Sequence, residues 1–354
     1  MQLPIKSSQI IIILGVFVVI GAIAFSFFQV FRATPPKNPE EPGILREPKT
    51  IGVILFRQQE EVVNGLKEGL KELGYSNITY KEIMMPVGDR MAEEASEHTK
   101  ELLAEGVDLV YTGLEFQALS AITTMKEMGN DTPIVFMAQF HDPIAYGLAK
   151  SFRSSENNAT GVSLNIIQVV QKELEFLKKI KPSVKKIGVF SDGFMVPPLS
   201  EEFYPELRRQ AAKFGYEIVA YTTKVPPPEA EAAFHATAAA IKPGDIDAIY
   251  HLAGHYFSPQ EAAESELASR LKIPMIAPLE DLPNGGHFGY SGDYTSAGKQ
   301  TAKMVDKIFR GAKPRDIPLE YVEKLPLVIY LTRARLAGVE FPESILEIAD
   351  TIVK

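Results

Sequence analysis

Short runs of β-branched and other apolar residues alternate along this chain with longer stretches in which apolar residues recur every three or four positions. From residue 50 the runs are TIGVILF, then ITYKEIMM at 78, VDLVYTGL at 107 and TPIVFMAQF at 132. Between them lie EEVVNGLKEGLKEL, DRMAEEASEHTKELLAE and FQALSAITTMKEM, segments of helical period that end at Gly74, Gly106 and Gly129. Glycine at such a place takes the left-handed conformation that closes a helix. Alternation of this kind predicts parallel α/β units.

The same order returns in the second half as KKIGVFSD at 185, GYEIVAYTT at 215, IDAIYHLAG at 246 and KIPMIAPLE at 272. Ile187 answers to Ile51, Tyr216 to Tyr75, Asp247 to Asp108 and Pro274 to Pro133, each displaced by a nearly constant interval. KFGYEIVAY repeats ELGYSNITY, and SPQE at 258–261 supplies a capping box before AAESELASRL. Two doubly wound lobes of like topology are therefore expected.

In open parallel sheets ligands bind beyond the carboxyl ends of the strands, where backbone groups and helix N-termini point outward. The candidate ligand-binding residues are those that such loops carry. In the first half they are Phe56, Arg57, Thr112, Glu115 and the run Gln139, Phe140, His141 and Asp142. In the second they are Ser191, Asp192, His255, Tyr256 and Glu280. The loops AQFHDP and PLEDLP occupy matching places and line one cleft if the lobes face each other. Asp142 also reads as the cap of a helix that Pro143 begins. Phe56 and Phe140 read equally as core, and Glu280 with Asp281 as a solvated loop or a seat for a cation or amine.

Composition narrows the function. The 354 residues, 45% hydrophobic and 23% charged, suffice for two medium domains. Lysine and arginine number 37 against 45 acids, a net charge of −8 without long single-sign runs, so no basic footprint for nucleic acid is present. Cysteine is absent, which excludes disulfides, thiolate metal sites, cysteine nucleophiles and lipid attachment through an N-terminal cysteine. The uncharged stretch from Ile10 to Phe31 approaches the ~20 residues needed to cross a bilayer. Residues 1–32 are expected to form an N-terminal transmembrane signal anchor, with cleavage after Ala24 as the alternative. Residues 33–48, rich in proline, form a linker. Either way the remainder lies outside the cytoplasm, at the periplasmic or extracytoplasmic face of the cell membrane if anchored and soluble if cleaved.

Motifs for catalysis fail. No G-x-G-x-x-G follows the strand at 50, and neither a Walker loop nor G-x-S-x-G occurs. His251 and His255 are four apart but lie at a strand end with a glycine between them and lack the glutamate of H-E-x-x-H, so a loop-lining role is preferred to zinc. His141 and Asp142 are adjacent and have no nucleophile beside them. No catalytic residue, metal or cofactor is expected.

Three stretches carry a resemblance to a known family: TIGVILF with GLKEGLKELGY, PIVFMAQFHDPIAYGLAKSF leading to NNATGVS, and GYSGDYTSAGKQTAKMVDKIFRGAKPRDIPLEYVEKLPLVIYLTRARLAGV. From about residue 50 to 340 the chain resembles ABC-transporter substrate-binding proteins of the type-I periplasmic-binding-protein fold, in the branch that includes receptors for aromatic amino acids. The resemblance implies two lobes joined by three crossovers, about 49–160 plus 291–322 and about 161–290 plus 323–354, closing by a hinge on a small organic ligand. It implies an ABC permease and its ATPase as partners. Asp142 and Pro143 match the family's Asp-Pro after the fourth strand, and Asp293 with Tyr294 match its Asp-Tyr before the returning helix. Gln139, Phe140 and His141 depart from the small hydroxyl residues of many relatives, and GHYFS departs from their polar loop near 254. These departures leave room for a larger or more aromatic ligand. A membrane-tethered sensor reporting to a signalling partner is the alternative, and an envelope enzyme on the same scaffold a third reading.

Overall fold

The computed structural model describes residues 47–56, 59–86, 90–192, 206–223, 225, 229–252 and 260–354. The expected membrane helix, the linker up to residue 46, and the candidates Arg57, His255 and Tyr256 lie outside the described residues. Among the described residues no helix is long and apolar enough to cross a membrane.

The strand β1, Lys49–Leu55, turns Ile51, Val53 and Leu55 into one apolar cluster and Ile54 into another. This period of two, with both faces covered, is what a buried parallel strand requires. It is followed by β2 (Ile78–Met84), β3 (Leu109–Thr112), β4 (Ile134–Ala138) and β5 (Ala159–Ser163). The second half supplies β6 (Lys186–Asp192), β7 (Glu217–Thr223), β8 (Ala248–Tyr250), β9 (Met275–Ile276) and β10 (Phe288–Tyr290). Three short strands close the chain: β11 (Glu320–Tyr321), β12 (Leu327–Tyr330) and β13 (Thr351–Val353).

One sheet runs β2-β1-β3-β4-β5-β11, all parallel; the other runs β7-β6-β8-β9-β10-β12-β13, with β12 antiparallel to β10. The first five strands of each sheet thus have the same order, as the repeat predicted. The repeat extends to single bonds. Asp108 Oδ2 accepts from Thr50 N at 2.7 Å and Asp247 Oδ2 from Lys186 N at 2.9 Å, each carboxylate fastening the start of the neighbouring strand. Gly74 and Gly215 have φ of 86° and 77°, and behind them Tyr75 N donates to Leu70 O and Tyr216 N to Ala211 O, both at 3.0 Å. The two helix stops are equivalent closures.

The chain passes between sheets three times: between β5 and β6, between β10 and β11, and between β11 and β12. The middle passage contains the helix Tyr294–Phe309, which packs on the helix Glu60–Glu72 and against β4 and β5. Those two helices cross at Gly65 and Gly298. A Cβ on Gly298 would stand 2.0 Å from Val62 O, and one on Gly65 would stand 2.1 Å from Thr295 O. Only glycine permits this backbone approach. It seats the returning helix so that Tyr294, its first residue, reaches the carboxyl edges of both sheets.

Candidate ligand-binding site

Glu115 organises the edge of the first sheet. It begins the helix Glu115–Met128, whose N-terminus favours negative charge. Its buried carboxylate accepts from Gln139 N and Phe140 N at 2.9 Å each and pairs with His141 Nδ1 at 2.5 Å. One side chain therefore clamps the whole Gln139–His141 stretch after β4. This explains why a run of β-formers ends in polar residues: the strand has run out of neighbours and its amides pass to a carboxylate. Asp142 Oδ1 then accepts from Ile144 N and Ala145 N, each at 2.9 Å, but the segment from Pro143 is a turn and not the helix that the Asp-Pro pair suggested, the chain going on through the turn at Gly147 to β5. The His141 ring stacks on Tyr146 with centroids 4.6 Å apart.

Polar atoms collect at the neighbouring strand ends. Gln59 Oε1 accepts from Phe56 N at 2.9 Å, while Gln59 Nε2 is buried with no hydrogen-bond partner. The Thr112 hydroxyl, at the end of β3, is likewise buried and unpartnered. Phe56 and Phe140 pack into the apolar cluster on one face of the sheet, Phe56 with its ring 5.8 Å from Phe116. Both therefore lie in the core at the strand ends.

On the second sheet, His251 follows β8 and is fully buried. Its Nδ1 lies 2.5 Å from Glu264 Oε2, and its Nε2 lies 3.3 Å from Asp281 Oδ2 and 3.9 Å from Glu261 Oε1. Burial pulls the imidazole pKa down, but the Glu264 charge and hydrogen bonds to Asp281 and Glu264 outweigh it, and the net shift is well above the ordinary value. Among the described residues His251, Glu261 and Asp281 form the group of three whose donor atoms lie within 4.8 Å of one another, but an imidazole protonated at both nitrogens has no lone pair for a metal ion. The protonated imidazole itself supplies the positive charge there. Glu173, from the helix Ile166–Ile180, accepts from Tyr250 Oη at 2.5 Å and Tyr290 N at 3.3 Å; burial, partly opposed by these bonds, raises its carboxyl to about 8.

Glu280 and Tyr294 join the two edges. Tyr294 Oη lies 3.1 Å from Gln139 Oε1 and 2.9 Å from Glu280 Oε1. The second carboxylate oxygen of Glu280 is buried with no partner. Burial, followed by the charge of Asp281, pushes this carboxyl up to about 7.

Of the remaining candidates, Ser191 is buried and its hydroxyl lies 3.0 Å from Thr222 Oγ1, while Asp192 ends β6 in register with Thr223. Asp293 caps the returning helix, Oδ1 accepting from Ser296 N at 2.6 Å, and its Oδ2 lies 3.9 Å from Lys324 Nζ. The structure thus brings Glu115, Gln139, Glu280 and Tyr294 into one connected system and leaves Ser191 and Asp293 with local partners. Gln59, Glu173 and Glu264 were not anticipated. Ser258 lies outside the described residues, and Glu261, read from sequence as half of a capping box with it, has Oε1 3.9 Å from His251 Nε2. Its spacing to Glu264 places both on one face of the helix Gln260–Leu271, a signal that stands in the sequence.

A family model for ABC transporter substrate binding proteins matches residues 52–353. A tyrosine-binding protein of Clostridioides difficile (strain R20291) is 24% identical over 288 residues, covering 80% of this chain and 79% of the relative. Among solved structures, a conserved domain protein from Vibrio cholerae superposes with a TM-score of 0.71 at 24% identity, covering 86% of this chain and 100% of that one. An ABC domain from Streptococcus pneumonia in complex with L-Trp gives 0.70 at 23% identity, with the same coverage. A ligand-free, open substrate-binding protein with adhesive properties from Clostridium difficile gives 0.64 at 21%, covering 86% of this chain and 99% of that one. At these identities the likeness concerns the fold.

Proposed function

The chain belongs to the ABC transporter substrate binding protein family, a family of binding proteins and not of enzymes, and from that premise we propose that it captures an amino-acid-like or aromatic small molecule between its lobes. The lobes, 49–160 plus 291–322 and 161–290 plus 323–354, close about the three crossing segments. An ABC permease and its ATPase receive the cargo for import. The N-terminal apolar stretch holds the protein at the outer face of the membrane.

The observation that carries this reading is a set of buried polar atoms without partners: Gln59 Nε2 and Thr112 Oγ1 beside the first sheet, Glu280 Oε2 beside the second. Buried polar groups are almost always hydrogen-bonded, and leaving one unpaired costs about 1–3 kcal/mol. Three such atoms at strand ends suit a ligand that brings its own polar groups. An amide and a hydroxyl offer donors, and a carboxyl offers an acceptor. A molecule with an acceptor at one end and an amine or hydroxyl at the other satisfies all three. The amino-acid ligands named for the relatives have this character.

Mass spectrometry of material released by heat from gently purified full-length protein tests the reading. A co-purifying amino-acid-like or aromatic compound is expected, bound at least tenfold more weakly by Thr112→Ala. An empty protein that gains no thermal stability from any free amino acid or aromatic acid would overturn it. Fractionation of cells, with the protein in the membrane pellet and accessible to external protease, is the expected result for the anchor.

A further inference from the structure

Two oxygens compete for the single proton of Tyr294 Oη: Gln139 Oε1 at 3.1 Å and Glu280 Oε1 at 2.9 Å. The amide of Gln139 cannot turn its nitrogen toward the phenol, because Nε2 donates to Gly113 O at 3.0 Å and the reversed amide would set oxygen against oxygen there. Both contacts are favourable together only when a second proton sits on Glu280. The neutral acid then donates to the phenol oxygen and the phenol donates to the amide. With Glu280 ionised, the phenol turns its proton to the carboxylate and its lone pairs confront Gln139 Oε1.

Gln139 follows β4 of the first sheet and Glu280 follows β9 of the second, so this bridge runs from one lobe to the other. We propose that closure of the lobes takes up one proton at Glu280, the neutral acid completing a two-proton bridge through Tyr294 to Gln139. The groups facing Glu280 set the conditions. Asp281 on its own loop and Glu173 from the helix Ile166–Ile180 disfavour a further negative charge, whereas His251 beyond β8 and the Tyr294 phenol favour it. Burial outweighs the last two and holds the carboxyl near 7 against an ordinary 4.5. The sign follows from linkage. The bridged form binds the proton more tightly, so its advantage is complete below about 4.5 and is lost as pH rises through about 7, by up to tenfold in the closing constant per pH unit.

The proposal rests on the closing receptor described above, and it is tested without a ligand. The natural chain has no cysteine, so Lys100→Cys and Lys213→Cys, both exposed and one on each lobe, accept spin labels cleanly. In the full chain the inter-label distance distribution is expected to shift toward the short population between pH 8 and pH 5. Glu280→Gln, whose amide donates to the phenol at every pH, is expected to hold the short population throughout, and Tyr294→Phe to abolish the response. Carboxyl-carbon NMR of glutamate-labelled protein, with Glu280→Gln to identify the signal, is expected to show a midpoint well above 4.5. An ordinary midpoint, or an undiminished pH response in Glu280→Gln, would overturn the proposal. A second arm adds a mixture of free aromatic amino acids at pH 8. Closure there without a pH response in the ligand-free chain overturns the proton bridge alone; absence of closure in either arm overturns the closing receptor as well.

Discussion

Replacing Glu115 with glutamine changes no volume but removes a charge and turns one acceptor into a donor. Glu115 Oε1 serves Phe140 N and His141 Nδ1, and Oε2 serves Gln139 N. The better orientation of the new amide keeps its oxygen on Phe140 and His141, so its nitrogen meets the Gln139 amide donor to donor. A hydrogen bond to a charged group is worth about 1.5–3 kcal/mol, and a buried donor left unpaired costs about 1–3 kcal/mol. With the two surviving bonds weakened by the loss of charge, Glu115→Gln should destabilise the chain by about 3 kcal/mol. Urea unfolding followed by circular dichroism measures this as a lower midpoint at an unchanged slope. Glu127→Gln, at an exposed position of the same helix, is the control and should stay within about 0.5 kcal/mol. A loss below about 1 kcal/mol at Glu115 would mean that the loop after β4 holds its shape without the carboxylate, and the clamp would be refuted.

Gly298→Ala should cost more than about 3 kcal/mol, because the added methyl meets Val62 O and Leu66 N, backbone atoms that move only if the whole helix Glu60–Glu72 withdraws; a folded variant with an unshifted urea midpoint would contradict the close crossing. Asp293→Ala should cost about 1 kcal/mol by freeing Ser296 N, while Asp293→Asn keeps a capping oxygen and should cost far less; equal losses in the two unfolding curves would remove the cap. His287 accepts from Met275 N at 3.0 Å through Nδ1, and burial, then the charge of Arg333, lowers its pKa to about 4. A depressed imidazole contributes stability that is present above the unfolded value of about 6.5 and is lost as pH falls toward 4, on the order of 3 kcal/mol. His287→Gln should flatten that acid limb of stability against pH; an unchanged limb would assign it to other groups.

The scaffold was legible because its rules are local. The period of two in TIGVILF, the glycine that ends ELGY and KFGY, and the aspartates at 108 and 247 each act within one strand or across one neighbouring pair, so the repeat in sequence returns as a repeat in bonds. The cleft edge obeys no such period. Glu115 lies 24 positions from Gln139, and Tyr294 lies 155 from Gln139 and 14 from Glu280. Only the return of the helix Tyr294–Phe309 to the first sheet, permitted by the glycines at its crossing, joins them. Gln59 was missed for a related reason: in FRQQEE nothing distinguishes it from a surface glutamine until the backbone of Phe56 turns onto it.

The duplicated strands carry unlike edges. Beside the first sheet stand an amide nitrogen and a hydroxyl without partners, and the carboxylate of Glu115 is spent on three donors. Beside the second, among the described residues, Glu261, Glu264, Glu280 and Asp281 gather about the imidazole of His251. Repetition supplies two sheets whose ends can meet, and divergence of the loops makes one edge a donor and the other an acceptor. A ligand with the same group at both ends would satisfy one edge and leave the other unpaired, whereas a ligand with unlike ends is paired at both. On the binding reading proposed above, the order of its two ends across the cleft follows from these donors and acceptors: acceptor toward Thr112, donor toward Glu280.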